Sequence, residues 1–244
     1  MCNDENIMVV TLTRFLTAST AAWAGLFGLL LIADRWLSFS ERMSFAVVFL
    51  MLSATVIWVG VLAGHAQPTL KSGFRVAFTA IIFAVGLGTV LTHGPLTALL
   101  SSGALLIGGV WLTASLGREV TSPTYVWPLI IVALCFDSWS VFSSEGVTHQ
   151  MVVDGKAPEL FNFLVLSVPI PGLGLQPVLG LGDALFVGFF AGAIRRLEFS
   201  MYRLAVGVGI GFSACLAALL ILAQPLPALV FIGPAIGVVF GRSA

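Results

Sequence analysis

Two aspartates, Asp137 and Asp183, fall well inside the apolar stretches of this chain. An acid near the middle of a bilayer costs several kcal/mol, about 2.5 to 3.5 on insertion scales, so such acids are candidates for functional sites. Two neighbouring carboxylates cannot both ionise and therefore share a proton, so that one acts as a base toward water and the other as an acid. This pair hydrolyses peptide bonds in aspartic proteases, without a nucleophilic side chain, a metal or another cofactor.

A glycine-rich tetrapeptide, Gly180-Leu181-Gly182-Asp183, leads into the second acid. Glycine removes side-chain bulk and permits backbone angles that other residues resist, so a second backbone can approach closely. The tetrapeptide therefore predicts room for a substrate strand beside Asp183. Because the chain has 26 glycines, an ordinary glycine-rich start of a span is the alternative explanation.

The composition indicates a polytopic membrane protein. Hydrophobic residues make up 59% of the 244 residues and charged residues only 9%, which is outside the range of ordinary soluble domains. The formal net charge is zero and no basic run occurs, so no nucleic-acid partner is predicted. The three cysteines and three histidines are scattered, which predicts neither a metal site nor a disulfide framework.

Runs of about 20 apolar residues, the length that crosses a bilayer as a helix, divide the chain into eight predicted spans. Their limits are 15–33, 43–63, 74–92, 95–116, 125–143, 177–194, 203–223 and 226–241. One long connection, from Ser144 to about Gln176, is too rich in proline and glycine to be a full span. Within it, Phe161 to Val168 is predicted to form a short strand or a re-entrant segment.

The basic residues predict the orientation. Eight of them lie on the side of both termini and three on the other side, which places both termini in the cytoplasm and the long connection outside. The first group is Arg14, Lys71, Arg75, Arg118, Arg195, Arg196, Arg203 and Arg242, and the second is Arg35, Arg42 and Lys156.

The two acids are predicted to lie at the same depth. Asp137 is about six residues from the outer end of its span and Asp183 about six residues into the next, which places both about 9–10 Å below the outer face. Pro227-Ala228-Leu229 begins the last span at that same face. A proline near the start of a span is common, so this tripeptide alone is a weak signal.

Phe136-Asp137, Gly180-Leu181-Gly182-Asp183 and Pro227-Ala228-Leu229, in this order, resemble the motifs of the presenilin and signal peptide peptidase family of intramembrane aspartyl proteases. The resemblance implies that Asp137 and Asp183 are the catalytic pair. It also implies that Gly180 to Gly182 shape the substrate groove and that Pro227 to Leu229 support the site geometry. Family members usually have a tyrosine where this chain has Phe136, which keeps the ring and loses the hydroxyl.

The resemblance covers roughly residues 120 to 244, and the first four spans match only as hydrophobic helices. We therefore predict an all-α, presenilin-like bundle of eight or nine transmembrane helices. Residues 1–116 would form an N-terminal scaffold of about four helices, and residues 117–244 a catalytic half. Family members typically have nine spans, so this chain either lacks one or has two that the segmentation merges.

The outward connection between the two acids favours the signal-peptide-peptidase branch, and within it the shorter prokaryotic members. The resemblance then implies a protein of a prokaryotic cell membrane whose substrate is a single transmembrane helix or a remnant signal peptide, entering from the lipid bilayer. In the family a strand beside the second catalytic span pairs with unwound substrate, and Phe161 to Val168 is the predicted counterpart.

Three other functions compete with this one. A proton-coupled transporter also places acids in the membrane, although no inverted repeat is visible in the sequence. A prepilin peptidase is another membrane aspartyl protease, but its acids should lie near the cytoplasmic face. The third is an inactive relative that binds membrane helices.

Overall fold

The computed structural model describes residues 2–36, 40–66, 95–152, 164–222, 224 and 226–241. Helices dominate these regions, because a helix satisfies the backbone hydrogen bonds of an apolar segment internally. The eight α-helices found there are α1 Cys2–Trp36, α2 Glu41–Ala66, α3 Pro95–Gly117, α4 Val126–Phe142, α5 Val147–Val152, α6 Leu181–Arg196, α7 Met201–Leu222 and α8 Leu229–Gly241. Two strands, β1 Val165–Ile170 and β2 Gly174–Gly180, precede α6.

Four helical segments in the described regions are long and apolar enough to cross a membrane, and α8 is a shorter apolar helix. The four are Glu41–Ala66, Thr97–Gly117, Pro123–Phe142 and Met201–Leu222. The chain is therefore an α-helical membrane protein.

Seven of the eight predicted spans coincide with helices, and the eighth, 74–92, lies outside the described residues. Three of the predicted starts were wrong. α1 begins at Cys2 rather than at 15. α6 begins at Leu181 rather than at 177, because the residues before it form β2. α8 begins at Leu229 rather than at 226, since a residue that precedes a proline, as Leu226 does, is disfavoured in a helix.

The strands form an antiparallel hairpin in the long connection. Val165 pairs with Gly180 and Ile170 with Gly174. The turn between them fits a type II turn, in which Pro171 is followed by Gly172 at φ 80°, a backbone angle that favours glycine. The strand predicted at Phe161 to Val168 is present from Val165 and continues to Ile170, whereas residues 161–163 lie outside the described regions.

One strand of the hairpin is anchored in the bundle. Most side chains of β1 are buried, and the backbone N–H of Ser167 donates to Oγ of the buried Ser102 on α3 at 3.1 Å. β2 is more exposed along its length. The hairpin therefore presents β2 to its surroundings and β1 to the helices.

α6 lies at the centre of the bundle, where it packs on α2, α3 and α7. Its glycines allow the close approach to α3: a Cβ on Gly188 would lie 2.7 Å from the carbonyl oxygen of Val110, and one on Gly192 would overlap the carbonyl oxygen of Ala114. Small residues at such crossings let membrane helices pack backbone to backbone. One continuous core thus joins helices of the segments 1–116 and 117–244.

Candidate active site

Asp137 lies on α4 and is tied to the start of α8. Its Oδ2 accepts the backbone N–H of Leu229 at 3.0 Å. The first amides of a helix have no partner within the helix, and the positive end of the helix dipole favours a carboxylate there. The side chain of Asp137 therefore caps α8 from a helix that lies 92 residues away in the sequence.

The backbone amides that follow Leu229 make other hydrogen bonds. The next amides are already used, because Val230 N–H donates to the carbonyl of Pro227 at 3.3 Å and Ile232 N–H to that of Ala228 at 3.1 Å. Pro227, Ala228 and Leu229 are all buried. The tripeptide thus donates the amide of Leu229 to the carboxylate from a buried segment of backbone.

Asp183 lies in the first turn of α6, immediately after the hairpin. Its carboxylate accepts the backbone N–H of Gly180, the residue that caps the helix. A Cβ at Gly180 would lie 2.9 Å from Oδ2 of Asp183, closer than ordinary van der Waals contact. The absence of a side chain at Gly180 therefore leaves room for the carboxylate of Asp183.

Both carboxylates line one cavity of about 270 Å³, where they are close enough to repel each other when both are ionised. Its wall is formed by α4, α5, the hairpin, the first turn of α6 and the residues just before α8. The lining residues are Asp137, Val141, Thr148, Leu164, Val165, Pro177, Val178, Leu179, Gly180, Asp183, Leu226 and Ala228. Such a pair can share one proton and divide the roles of base and acid.

The other predicted site residues are placed around this cavity rather than on it. Leu181 is buried and packs toward α3, whereas Gly182 is exposed with open space around it. Phe136 is 63% exposed, and its ring contacts that of Trp139 with centroids 5.9 Å apart. Phe136 therefore faces the surroundings of the bundle, away from the cavity lining.

Sequence reasoning missed a hydroxyl pair beside the acids. Thr148 on α5 lines the cavity, and its Oγ1 lies 2.8 Å from Oγ of the buried Ser140. The backbone N–H of Thr148 also donates to that Ser140 oxygen at 3.1 Å. Ser140 follows Asp137 by three residues, on the same side of α4, and this spacing was the available signal.

Comparisons with protein-family models, with curated proteins and with solved structures found no match to this chain.

Proposed function

We propose that this protein is an intramembrane aspartyl protease in which Asp137 and Asp183 activate water. The observation that supports it best is that both acids, from different helices of a membrane protein, line one cavity. The hydrogen bond from Leu229 to Asp137 adds support, because it gives Pro227-Ala228-Leu229 a reason to accompany the acids. The three motifs are those by which the chain resembles the presenilin and signal peptide peptidase family.

In the proposed reaction the two carboxylates hold one proton between them. The ionised carboxylate removes a proton from water, and the resulting hydroxide attacks the peptide carbonyl carbon, while the protonated carboxylic acid gives its proton to the carbonyl oxygen. The tetrahedral intermediate then collapses as the C–N bond breaks and the leaving amine takes up the proton that the base had gained. One hydroxyl of the intermediate returns its proton to the pair as it becomes the new carbonyl, and the other stays on the carboxylic acid product, so the enzyme finishes in its starting state.

The substrate is proposed to be a single transmembrane helix or a remnant signal peptide. Its scissile bond must leave the helical conformation before water can reach it, because backbone groups in a helix are already paired. β2 is the more exposed strand of the hairpin and contributes four residues, 177–180, to the cavity wall. An unwound substrate segment added beside β2 would therefore pass next to Asp183.

The basic residues support an orientation with both termini in the cytoplasm and the hairpin outside. Substrate would then be cut near the outer face of a prokaryotic cell membrane. An outward connection between the two acids is the arrangement of the signal-peptide-peptidase branch and not of the presenilins. That branch is therefore proposed as the better match. A fold of presenilin type with eight or nine spans is part of the same proposal.

The test is cleavage of a labelled single-span substrate by the purified protein in liposomes. We compare wild type with Asp137→Asn and Asp183→Asn, which keep the side-chain shape and remove the carboxylate. Glu145→Gln, in the exposed turn after α4, is the matched control. We expect both aspartate variants to lose cleavage and the control to keep it.

Undiminished cleavage by either aspartate variant would refute the shared catalytic role. Absence of cleavage by wild type across a panel of single-span substrates would refute the protease proposal and favour transport or helix binding. Proton flux into the same liposomes separates these last two.

A further inference from the structure

A groove between α7 and α8, with a volume of about 680 Å³, lies outside the aspartate site. Its volume falls within the range of ligand pockets, roughly 300 to 1,000 Å³. Its lining is mostly apolar and comes from the first three turns of α7 and the second half of α8. The polar side chains of the lining, Tyr202 and Arg203, are both at one end.

This end of the groove carries positive charge. Arg203 is exposed in the first turn of α7, and the structure gives it no ion pair among the described residues. The preceding helix ends at Arg195 and Arg196, both exposed, and the short turn that joins it to α7 carries one exposed acid, Glu198, so the net charge of this end is positive. The dipole at the start of α7 adds to the attraction for an anion.

Tyr202 is suited to the boundary between headgroups and hydrocarbon. Its side chain is 77% exposed beside Arg203, and tyrosine is enriched where an apolar ring and a polar hydroxyl meet the two phases. A guanidinium and a phenol hydroxyl together supply several donors for phosphate oxygens.

The apolar part is short along the helix axis. From Arg203 to Ile210 is seven residues, or about 10 Å, roughly a third of the hydrocarbon thickness. Beyond it the helices close on each other, since a Cβ on Gly211 would lie 2.8 Å from Cα of Ile232. A spanning partner helix would need a longer face, whereas an acyl chain of one leaflet fits a groove that ends inside that leaflet.

We infer that this groove binds an anionic phospholipid, with the phosphate at Arg203 and Tyr202 and an acyl chain along Val206, Gly207 and Ile210. Anionic lipids concentrate on the cytoplasmic side, where the basic residues place this end of α7. The site is independent of the aspartates, so the inference holds whether or not the protein is a protease.

The experiment measures lipid retained by the purified full-length protein in detergent, by native mass spectrometry. Dioleoyl phosphatidylglycerol is compared with dioleoyl phosphatidylcholine, which has the same chains and a zwitterionic headgroup. We expect wild type to retain about fivefold more of the anionic lipid, as one arginine at a membrane surface would give. Arg203→Gln should abolish the preference, whereas Arg42→Gln, an exposed arginine at the far end of α2, should keep it.

A second variant, Val206→Trp, fills the groove and should lower retention of both lipids. Its control is Val132→Trp, at an exposed position on α4. Thermal unfolding and circular dichroism establish that each variant is folded. Equal retention of both lipids by wild type, or an unchanged preference in Arg203→Gln, would overturn the inference. A dimer that Val206→Trp disrupts, without any lipid preference, would overturn it in favour of self-association.

Discussion

The backbone amide of Leu229 donates to Oδ2 of Asp137 at 3.0 Å, which joins the Pro-Ala-Leu segment to the first acid. Because the donor is a main-chain group, side-chain truncation at Leu229 leaves the hydrogen bond in place. The relationship explains how a segment of apolar residues and proline can position a charged group without contributing a polar side chain.

Removal of this amide tests its role directly. Leu229 is the first residue of α8, a position where proline is tolerated, so Leu229→Pro deletes the N–H while the helix can still start. A hydrogen bond to a charged group contributes about 1.5 to 3 kcal/mol, so we expect cleavage to fall about ten- to a hundredfold relative to Leu229→Ala, which keeps the amide. Initial cleavage rates of the two variants provide the measurement. Equal rates would show that the hydrogen bond does not matter.

The two glycines before Asp183 should respond differently to alanine. A Cβ at Gly180 would press on Oδ2 of Asp183 at 2.9 Å, whereas Gly182 has nothing within 4 Å of the added carbon. Since displacement of a reacting group by about 1 Å can cost about a hundredfold in rate, we expect Gly180→Ala to lower kcat at least about tenfold. Gly182→Ala should retain kcat. A loss of kcat in Gly182→Ala without a loss in Gly180→Ala would contradict this placement of the carboxylate.

The hydroxyl of Ser140 should stabilise the segment that follows α4. Ser140→Ala removes two hydrogen bonds made by the half-buried Thr148, and each such bond contributes about 0.5 to 1.5 kcal/mol. We expect a lower thermal midpoint and faster proteolysis around α5. Ser143→Ala is the control, because its hydroxyl accepts an exposed amide at 3.3 Å. A midpoint unchanged from wild type would show that α5 is held by other contacts.

Helix packing at α6 gives a prediction about stability alone. Gly192→Ala places a methyl group on the carbonyl of Ala114 and should separate α6 from α3, at a cost of about 1 to 3 kcal/mol. Gly28→Ala, with nothing within 4 Å of the added carbon, should leave stability unchanged or raise it slightly. Denaturant or thermal unfolding in detergent compares the two. Similar midpoints for both variants would mean that α3 and α6 can move apart without a loss of stability.

Hydrophobic runs predicted most of the described helices, because each run is long and its polar interruptions are clear. They failed at 177–180, where apolar residues and glycines extend a helical pattern into what is a strand. Pro177 lies opposite Ser167 at an irregularity of the register, a position where a strand accepts a proline. Sequence alone does not show this pairing, because its partner strand lies in the long connection.

The sequence also predicted that Asp137 and Asp183 lie at the same depth and can meet. That depth was counted along helices, and the count holds only in part. Asp183 is in the first turn of α6, not six residues inside a helix. The residues before it form an extended strand, which covers more length per residue than a helix, so the predicted helical depth does not describe its position. The roles of the acids and the orientation in the membrane stay predictions. Ser140 and Thr148 were missed because their pairing depends on the turn between α4 and α5.

β2 passes into α6 at Gly180 and Leu181 with no linker between them. Because the strand continues directly into the helix, Asp183 lies only three residues beyond the end of β2. A shift of β2, such as the addition of a substrate strand would cause, would therefore displace the first turn of α6 and the carboxylate of Asp183. We therefore expect the position of β2 and the spacing between the two acids to change together.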